Sequence, residues 1–268
     1  MRGVMKLSIL VCLVILSGCS FFMAGLDTIK STSDFIPLEA DRRVLYEQGA
    51  EDLAKVVAAQ LPEAIAAVEK GQYRPFPKPV SVYVCATEAS FTDYTGAKQA
   101  RGVVVVGKVF ISGKLKKREY QDAIPGILAY ELSHVHLQQQ LGAYNYEVLL
   151  PSWFQKGLAT MVSNGRSAEN VSQADAIKAI SQGKTFKPDT EGSLLFAKTS
   201  ASYGLTTQMF YRQSSMFVSY LKDLDNAKFE KFLLMVEDSK NFKDSFSSVY
   251  EMSIDTAWNN FIQIYKST

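Results

Sequence analysis

Residues 129–163 read AYELSHVHLQQQLGAYNYEVLLPSWFQKGLATMVS. Apolar positions recur at helical spacing on both sides of a short break, which predicts helices over about 121–141 and 152–164. The only two histidines of the chain, His134 and His136, fall in the first of these. Two residues apart on a helix, they face different sides and cannot share one ion without unwinding it. His136 is therefore expected as a surface or outlying histidine. Glu131 lies on the same helix, and a carboxylate held inside a helix packing needs a compensating cation, since a buried unpaired charge is costly. Lys156, on the second helix, is a candidate to supply that cation, the other reading being that its head reaches water along an apolar surface. Glu147 lies between the two helices and could approach from there, although no spacing rule places it.

Upstream of this segment, residues 43–70 are rich in Ala, Leu, Val and Glu at helical spacing, with Gly71 as the expected stop. Pro75, Pro77 and Pro79 then interrupt the chain. Val80–Cys85 alternates like a strand, and 86–98 reads as a short helix after a turn. Two β-branched runs, 102–106 and 108–112, are split by Gly107 and predict a hairpin. The run GKLKKRE at 113–119 is the one basic stretch and is expected as a solvated loop. Downstream, strands nearly vanish, and helices are predicted at about 170–182, 207–223, 227–238, 241–249 and 254–266. A small sheet region with helices followed by a mainly helical half makes the expected class α+β.

Composition excludes several classes of function. The chain has 268 residues, 47% of them hydrophobic, with 29 Lys and Arg against 27 Asp and Glu. That is a globular composition, neither disordered nor low in complexity. A formal charge of +2 leaves no basic excess for nucleic acid, so no nucleic-acid partner is expected. Three cysteines are too few for a disulfide scaffold.

The N-terminus places those cysteines. It reads MRGVMKLSILVCLVILSGC, with Arg2 and Lys6 ahead of an apolar run from Leu7 to Leu16. The run is too short to span a bilayer but fits a secretory signal. Its end, Leu16-Ser17-Gly18-Cys19, resembles the bacterial lipobox. That resemblance implies cleavage before Cys19, a diacylglyceryl thioether and an N-acyl chain on that residue, and hence a stable membrane anchor. Ser20 in the next position is similar to the outer-membrane sorting pattern of Gram-negative lipoproteins, which would leave the domain facing the periplasm. The expected organisation is then a signal peptide over 1–18, a lipidated tether over 19–41 and one domain over 42–268. Loss of the signal removes Arg2 and Lys6 and no acid, so the mature chain is formally neutral. Cys12 leaves with the signal, and Cys85, in the strand-like VSVYVCATE, is expected to be a buried structural thiol.

Tyr130-Glu131-Leu132-Ser133-His134 followed by Leu150-Pro151-Ser152-Trp153-Phe154-Gln155-Lys156-Gly157-Leu158-Ala159 resembles the gluzincin peptidases of the MA-like group, whose pattern is HELTHV, a variable loop and LPxWFxEGLA. Tyr211-Arg212-Gln213-Ser214 with Phe217-Val218-Ser219-Tyr220-Leu221 is similar to the same family's YAQS and FVxYL helix. The likeness extends over roughly residues 44–265 and implies a zincin-like fold. In that family two histidines and a glutamate hold zinc, and the glutamate after the first histidine acts as general base. Carried onto this chain, the general base falls on Glu131, the ligands on Tyr130, His134 and Lys156, and groups near the tetrahedral intermediate on Tyr203 and Tyr211. Tyrosine loses its proton only near pH 10, and a lysine ammonium brings positive charge where a carboxylate should neutralise the ion. No metal or other cofactor is therefore expected. The resemblance implies a pseudo-metallopeptidase that binds or scaffolds envelope components, with a peptide or envelope protein in the old substrate cleft. Two readings stay open beside it: an active metallopeptidase with zinc on Tyr130, His134 and an acid such as Glu147, and a purely structural envelope lipoprotein with its cleft filled.

Overall fold

A computed structural model describes residues 30–266; the lipidation expected at Cys19 and the signal before it lie outside them. The chain enters through β1 (Ile36–Pro37) and β2 (Val44–Tyr46), then runs through helix α1 (Glu51–Gln72), β3 (Val82–Val84), α2 (Glu88–Thr95) and the hairpin β4 (Gly102–Val105) and β5 (Lys108–Ile111). Seven of the eight remaining α-helices match the predicted stretches: α3 (Ile124–Leu141), α5 (Ser152–Val162), α6 (Gln173–Ser181), α7 (Thr207–Leu224), α8 (Asn226–Glu237), α9 (Phe242–Tyr250) and α10 (Ile254–Lys266). The eighth, α4 (Ala143–Leu149), occupies what reads in the sequence as the break. The architecture is α+β, with a small mixed sheet on the N-terminal side and a helical C-terminal half.

The sheet order is β1-β2-β3-β5-β4, parallel at β2/β3 and β3/β5 and antiparallel at both edges. Alternation sorts its side chains by face. Val82, Val84, Val109 and Ile111 join Val57, Leu61, Leu128 and Leu132 beneath α1 and α3. On the other face Tyr83, Cys85 and Phe110 meet Phe35, Phe91 and Tyr94. The hairpin turns at Val106-Gly107, both with positive φ (48° and 72°), the geometry of a tight two-residue connection.

Four expectations are corrected. The helix expected from residue 43 begins at Glu51, because Val44–Tyr46 pairs with β3. It also runs past Gly71, which lies against Val162, and stops at Tyr73 in a left-handed conformation (φ 62°). The tether expected to reach Asp41 ends earlier, since Phe35 and Leu38 are buried and Ile36–Pro37 pairs with β2. The basic run is not a free loop: residues 113–116 and 118–123 form 3-10 turns, and Leu115 is buried beneath them.

Helix α3 is buried on every side from Ile127 to Leu137, with the polar Glu131, Ser133, His134 and His136 among the buried positions. It lies between the sheet and the helical half, tied to α1 by a 2.6 Å hydrogen bond from Gln72 Nε2 to Ser133 Oγ. The helical half is organised on aromatic rings, with Trp153, Phe154 and Phe242 in mutual edge contact and Trp258 against Phe186 and Phe217. Helices α5 and α7 approach through Gly157, where a Cβ would stand 2.6 Å from the Ser214 carbonyl oxygen. Among the described residues, no helix is long and apolar enough to cross a membrane.

Candidate functional site

Glu131 and His134 lie three residues apart on α3 and so share a face of it, 5% and 2% exposed. Lys156, 5% exposed, comes from α5 and acts electrostatically on both. Helices α3 and α5 therefore meet at these side chains. Tyr130 stands edge-on to the His134 ring at 4.9 Å and stacks with Tyr211 at 6.3 Å. Glu147, half-buried on α4, also feels the Lys156 charge.

Burial displaces Glu131, His134 and Glu147 towards their neutral forms. Burial pushes the Glu131 carboxyl up to about 7, against the pull of Lys156 and of a hydrogen bond accepted from the Val104 backbone N–H. That bond places the carboxyl against the outer strand of the sheet, where Gly102 leaves room for it: a Cβ there would meet Glu131 Cγ at 3.1 Å. Burial, and then the Lys156 charge, hold the His134 imidazole well below its ordinary range, so the ring is neutral. Burial likewise raises the Glu147 carboxyl, with Lys156 opposing.

The fit to zinc is tested by the donors themselves. His134 Nε2 is buried with no hydrogen-bond partner, as a ligand nitrogen would be before metal arrives. The electrostatics around it run the wrong way, however. The Lys156 ammonium already lowers the affinity of His134 for a proton, and it lowers the affinity for a dication by the same Coulombic effect with twice the charge. Among the described residues no group of three or more His, Cys, Asp or Glu side chains is arranged to hold a metal ion. The residues present do not fit zinc.

The remaining candidates divide between this cluster and other places. Tyr203 does not join it; its hydroxyl donates to the Lys187 carbonyl at 2.9 Å, and Asp189 Oδ2 stands at 3.2 Å. Cys85 is fully buried, and burial pushes its thiol up to about 12, which leaves it inert. His136 faces away from His134, as expected, but it is not a surface residue. It is completely buried, with Nε2 3.0 Å from the Arg74 carbonyl oxygen and Nδ1 3.6 Å from Glu237 Oε1.

Sequence reasoning missed the residues that hold the cluster in place. The Tyr146 hydroxyl hydrogen-bonds His134 Nδ1 at 2.9 Å, and Gln155 Nε2 donates to the carbonyls of Tyr146 and Leu150 at 3.1 and 3.0 Å. Tyr146 sits in the segment read as a break, and its reach to His134 depends on α4, which no periodicity signals in seven residues. Gly192 closes the same side: a Cβ there would stand 2.1 Å from the Glu147 carbonyl oxygen and 2.5 Å from that of Leu150. Tyr130, His134, Glu131, Lys156, Tyr146 and Tyr211 are all buried, so the cluster is closed to solvent. No protein-family model matches the chain, and no curated protein matches it.

Proposed function

We propose that this protein is a lipid-anchored module of the cell envelope, built on a zincin-like domain that does not catalyse hydrolysis and that binds or scaffolds other envelope components. The observation that carries this reading is the position of Lys156, whose charge acts on both Glu131 and His134. In a metal-dependent hydrolase a general base must act on a metal-bound water. Here the carboxyl is held near neutrality by burial, its backbone partner is Val104, and an ammonium takes the place of the ion's charge. The signal-like N-terminus ending in Cys19 supports lipid anchoring, and Ser20 supports an outer-membrane address. The closed state of the cluster also favours a structural use of the old cleft over a peptide lodged there.

Metal analysis tests the catalytic side of the proposal. Protein purified without chelator is expected to carry no stoichiometric zinc, while the double variant Tyr130→His with Lys156→Glu is expected to gain it, since both lost ligands are restored. Stoichiometric zinc in the wild type would overturn the non-catalytic reading. Mass spectrometry of the protein extracted from membranes tests the anchor: the expected N-terminal residue is Cys19 carrying diacylglyceryl and N-acyl groups, and an unmodified Cys19 would overturn it.

A further inference from the structure

Residues 98–122 hold seven lysines and arginines against two acids, Glu119 and Asp122, in a chain that is otherwise close to charge balance. The densest part is Lys114, Lys116, Lys117 and Arg118, in and between the two 3-10 turns that follow β5. Lys114 is paired with Glu88 at 3.7 Å. Lys116, Lys117 and Arg118 are exposed and, among the described residues, enter no ion pair. Of the acids on the flanking helices, Glu51 and Asp52 of α1 are matched by Lys55 at 2.9 and 3.8 Å. Glu63 and Asp122 line a neighbouring cleft to which none of these four cations contributes. Asp93, on α2, is the remaining acid of that helix.

The cations stand on a fixed base. Leu115 is buried in the core between the sheet, α1 and α3. Gly113 lies against the start of α2, where a Cβ would stand 2.5 Å from the Thr87 backbone nitrogen. Arg101 and Lys114 both face the Tyr120 ring, at 5.2 and 5.9 Å from its centroid. Helix α2 also marks where the described chain begins: the Lys30 ammonium lies 4.3 Å over the ring of Tyr94, in the last turn of that helix. Eight residues make α2 about 12 Å long, so the cationic ridge and the incoming chain flank one short helix. The eleven-residue step from Cys19 to Lys30 spans at most about 40 Å. A bilayer that holds Cys19 is therefore within reach of the ridge.

We propose that Lys114, Lys116, Lys117 and Arg118 form a docking surface for the anionic headgroups of the bilayer that holds the anchor. The inference rests on the lipid-anchored reading above and gives that anchor a second, electrostatic point of attachment. Lysine meets a lipid phosphate as a point charge and arginine as a planar fork. Attraction to an anionic surface adds up over the cations that lie within a Debye length of it, and three consecutive exposed cations meet that condition together. Such contact also orients the domain. Helix α2 packs on one face of the sheet, and α3 and the helical half lie on the other, so docking through the ridge turns the helical half away from the membrane, where envelope partners can reach it.

The test is flotation of the full chain, purified from membranes, with two kinds of vesicle: phosphatidylcholine alone, and phosphatidylcholine with phosphatidylglycerol in equal parts. Lysines are then acetylated and read by mass spectrometry. Lys116 and Lys117 are expected to react about fivefold more slowly on the anionic vesicles than on the neutral ones, and the protection to fade as salt rises. Lys231 and Lys243, exposed in the helical half, are expected to react equally on both. The double variant Lys116→Glu with Arg118→Glu is expected to remove the protection of Lys117; both positions are exposed, and thermal melts verify folding. Equal acetylation of Lys116 and Lys117 on the two vesicles, or protection of Lys117 kept in the double variant, would overturn the proposal. Relief of the protection by millimolar inorganic phosphate at constant ionic strength would assign the ridge to a free anion and overturn the membrane as its occupant. Flotation with neutral vesicles depends on the anchor alone. Its failure counts against the anchor, while flotation with anionic vesicles and its loss in the double variant still measure the ridge.

Discussion

The Tyr146 hydroxyl lies 2.9 Å from Nδ1 of His134, twelve residues earlier in the chain. It is the hydrogen bond that fixes the orientation of the buried His134 ring. Tyr146→Phe would leave that nitrogen buried without a partner, beside an Nε2 that has none. The expected cost is about 1–3 kcal/mol, read as a lower urea midpoint with unchanged slope. A variant as stable as the wild type would remove Tyr146 from the account of the site.

Lys156 sets the charge state of its neighbours, and its replacement reads out that role. In Lys156→Met the His134 imidazole loses the repulsion that adds to burial, so its titration is expected to move upward towards the ordinary range. The Glu131 carboxyl loses its attractive cation and is expected to rise above about 7. The Cε1 proton of His134, followed by NMR against pH, measures the first effect directly; a titration indistinguishable from wild type would place the ammonium elsewhere. Lys156→Glu is expected to lower the melting temperature further, because it sets a third carboxylate against Glu131 and Glu147.

How much of this was legible in the sequence follows from the range of each signal. Helices α3, α5 and α7 were readable because their apolar periodicity runs over eleven to eighteen residues. The meeting of Glu131, His134 and Lys156 followed from the order of two motifs. Strand β2 was not readable: Val44–Tyr46 has three residues, and only pairing with Val82–Val84 distinguishes it from the first turn of a helix. The true depth of His136 was hidden for a similar reason. Its partners come from Arg74 and Glu237, and neither position carries a local mark of the contact. Tyr146 and Gly192, which seal the site, act through tertiary approach alone.

The buried pair of His136 and Glu237 yields a pH dependence. Burial raises the Glu237 carboxyl to about 8, with Arg74 opposing and Asp238 adding to the rise. A carboxyl raised on folding binds its proton more tightly in the native state, so stability is lost as pH climbs from about 4.5 to about 8. The neighbouring His136, lowered by burial against the pull of Arg74 carbonyl and Glu69, acts oppositely, removing stability as pH falls below about 6.5. In Glu237→Gln only the first effect disappears. The variant is expected to melt close to wild type at pH 5 and several degrees above it at pH 8. A melting difference that stays constant across that range would show that Glu237 does not hold a proton between α3 and α8.

Gly157 offers the sharpest test of how α5 is seated against α7. In an open helix Gly→Ala stabilises by about 1 kcal/mol, and Gly157 lies mid-helix in α5. Its hypothetical Cβ, however, would stand 2.6 Å from the Ser214 carbonyl oxygen, 2.7 Å from its carbon and 2.9 Å from Val218 Cγ2. Two of these are backbone atoms that no rotamer change can move. The alanine must therefore push α7 from α5, and overpacking of this kind costs about 1–3 kcal/mol. The displacement also acts on the site, because Tyr211 on α7 stacks on Tyr130 of α3, and Lys156 is the residue before the glycine. Gly157→Ala is thus expected to lower the melting temperature by several degrees and to shift the His134 titration upward as the cluster loosens and admits water. An alanine variant more stable than wild type would mean that helix propensity outweighs the contact and that α5 and α7 are free to separate.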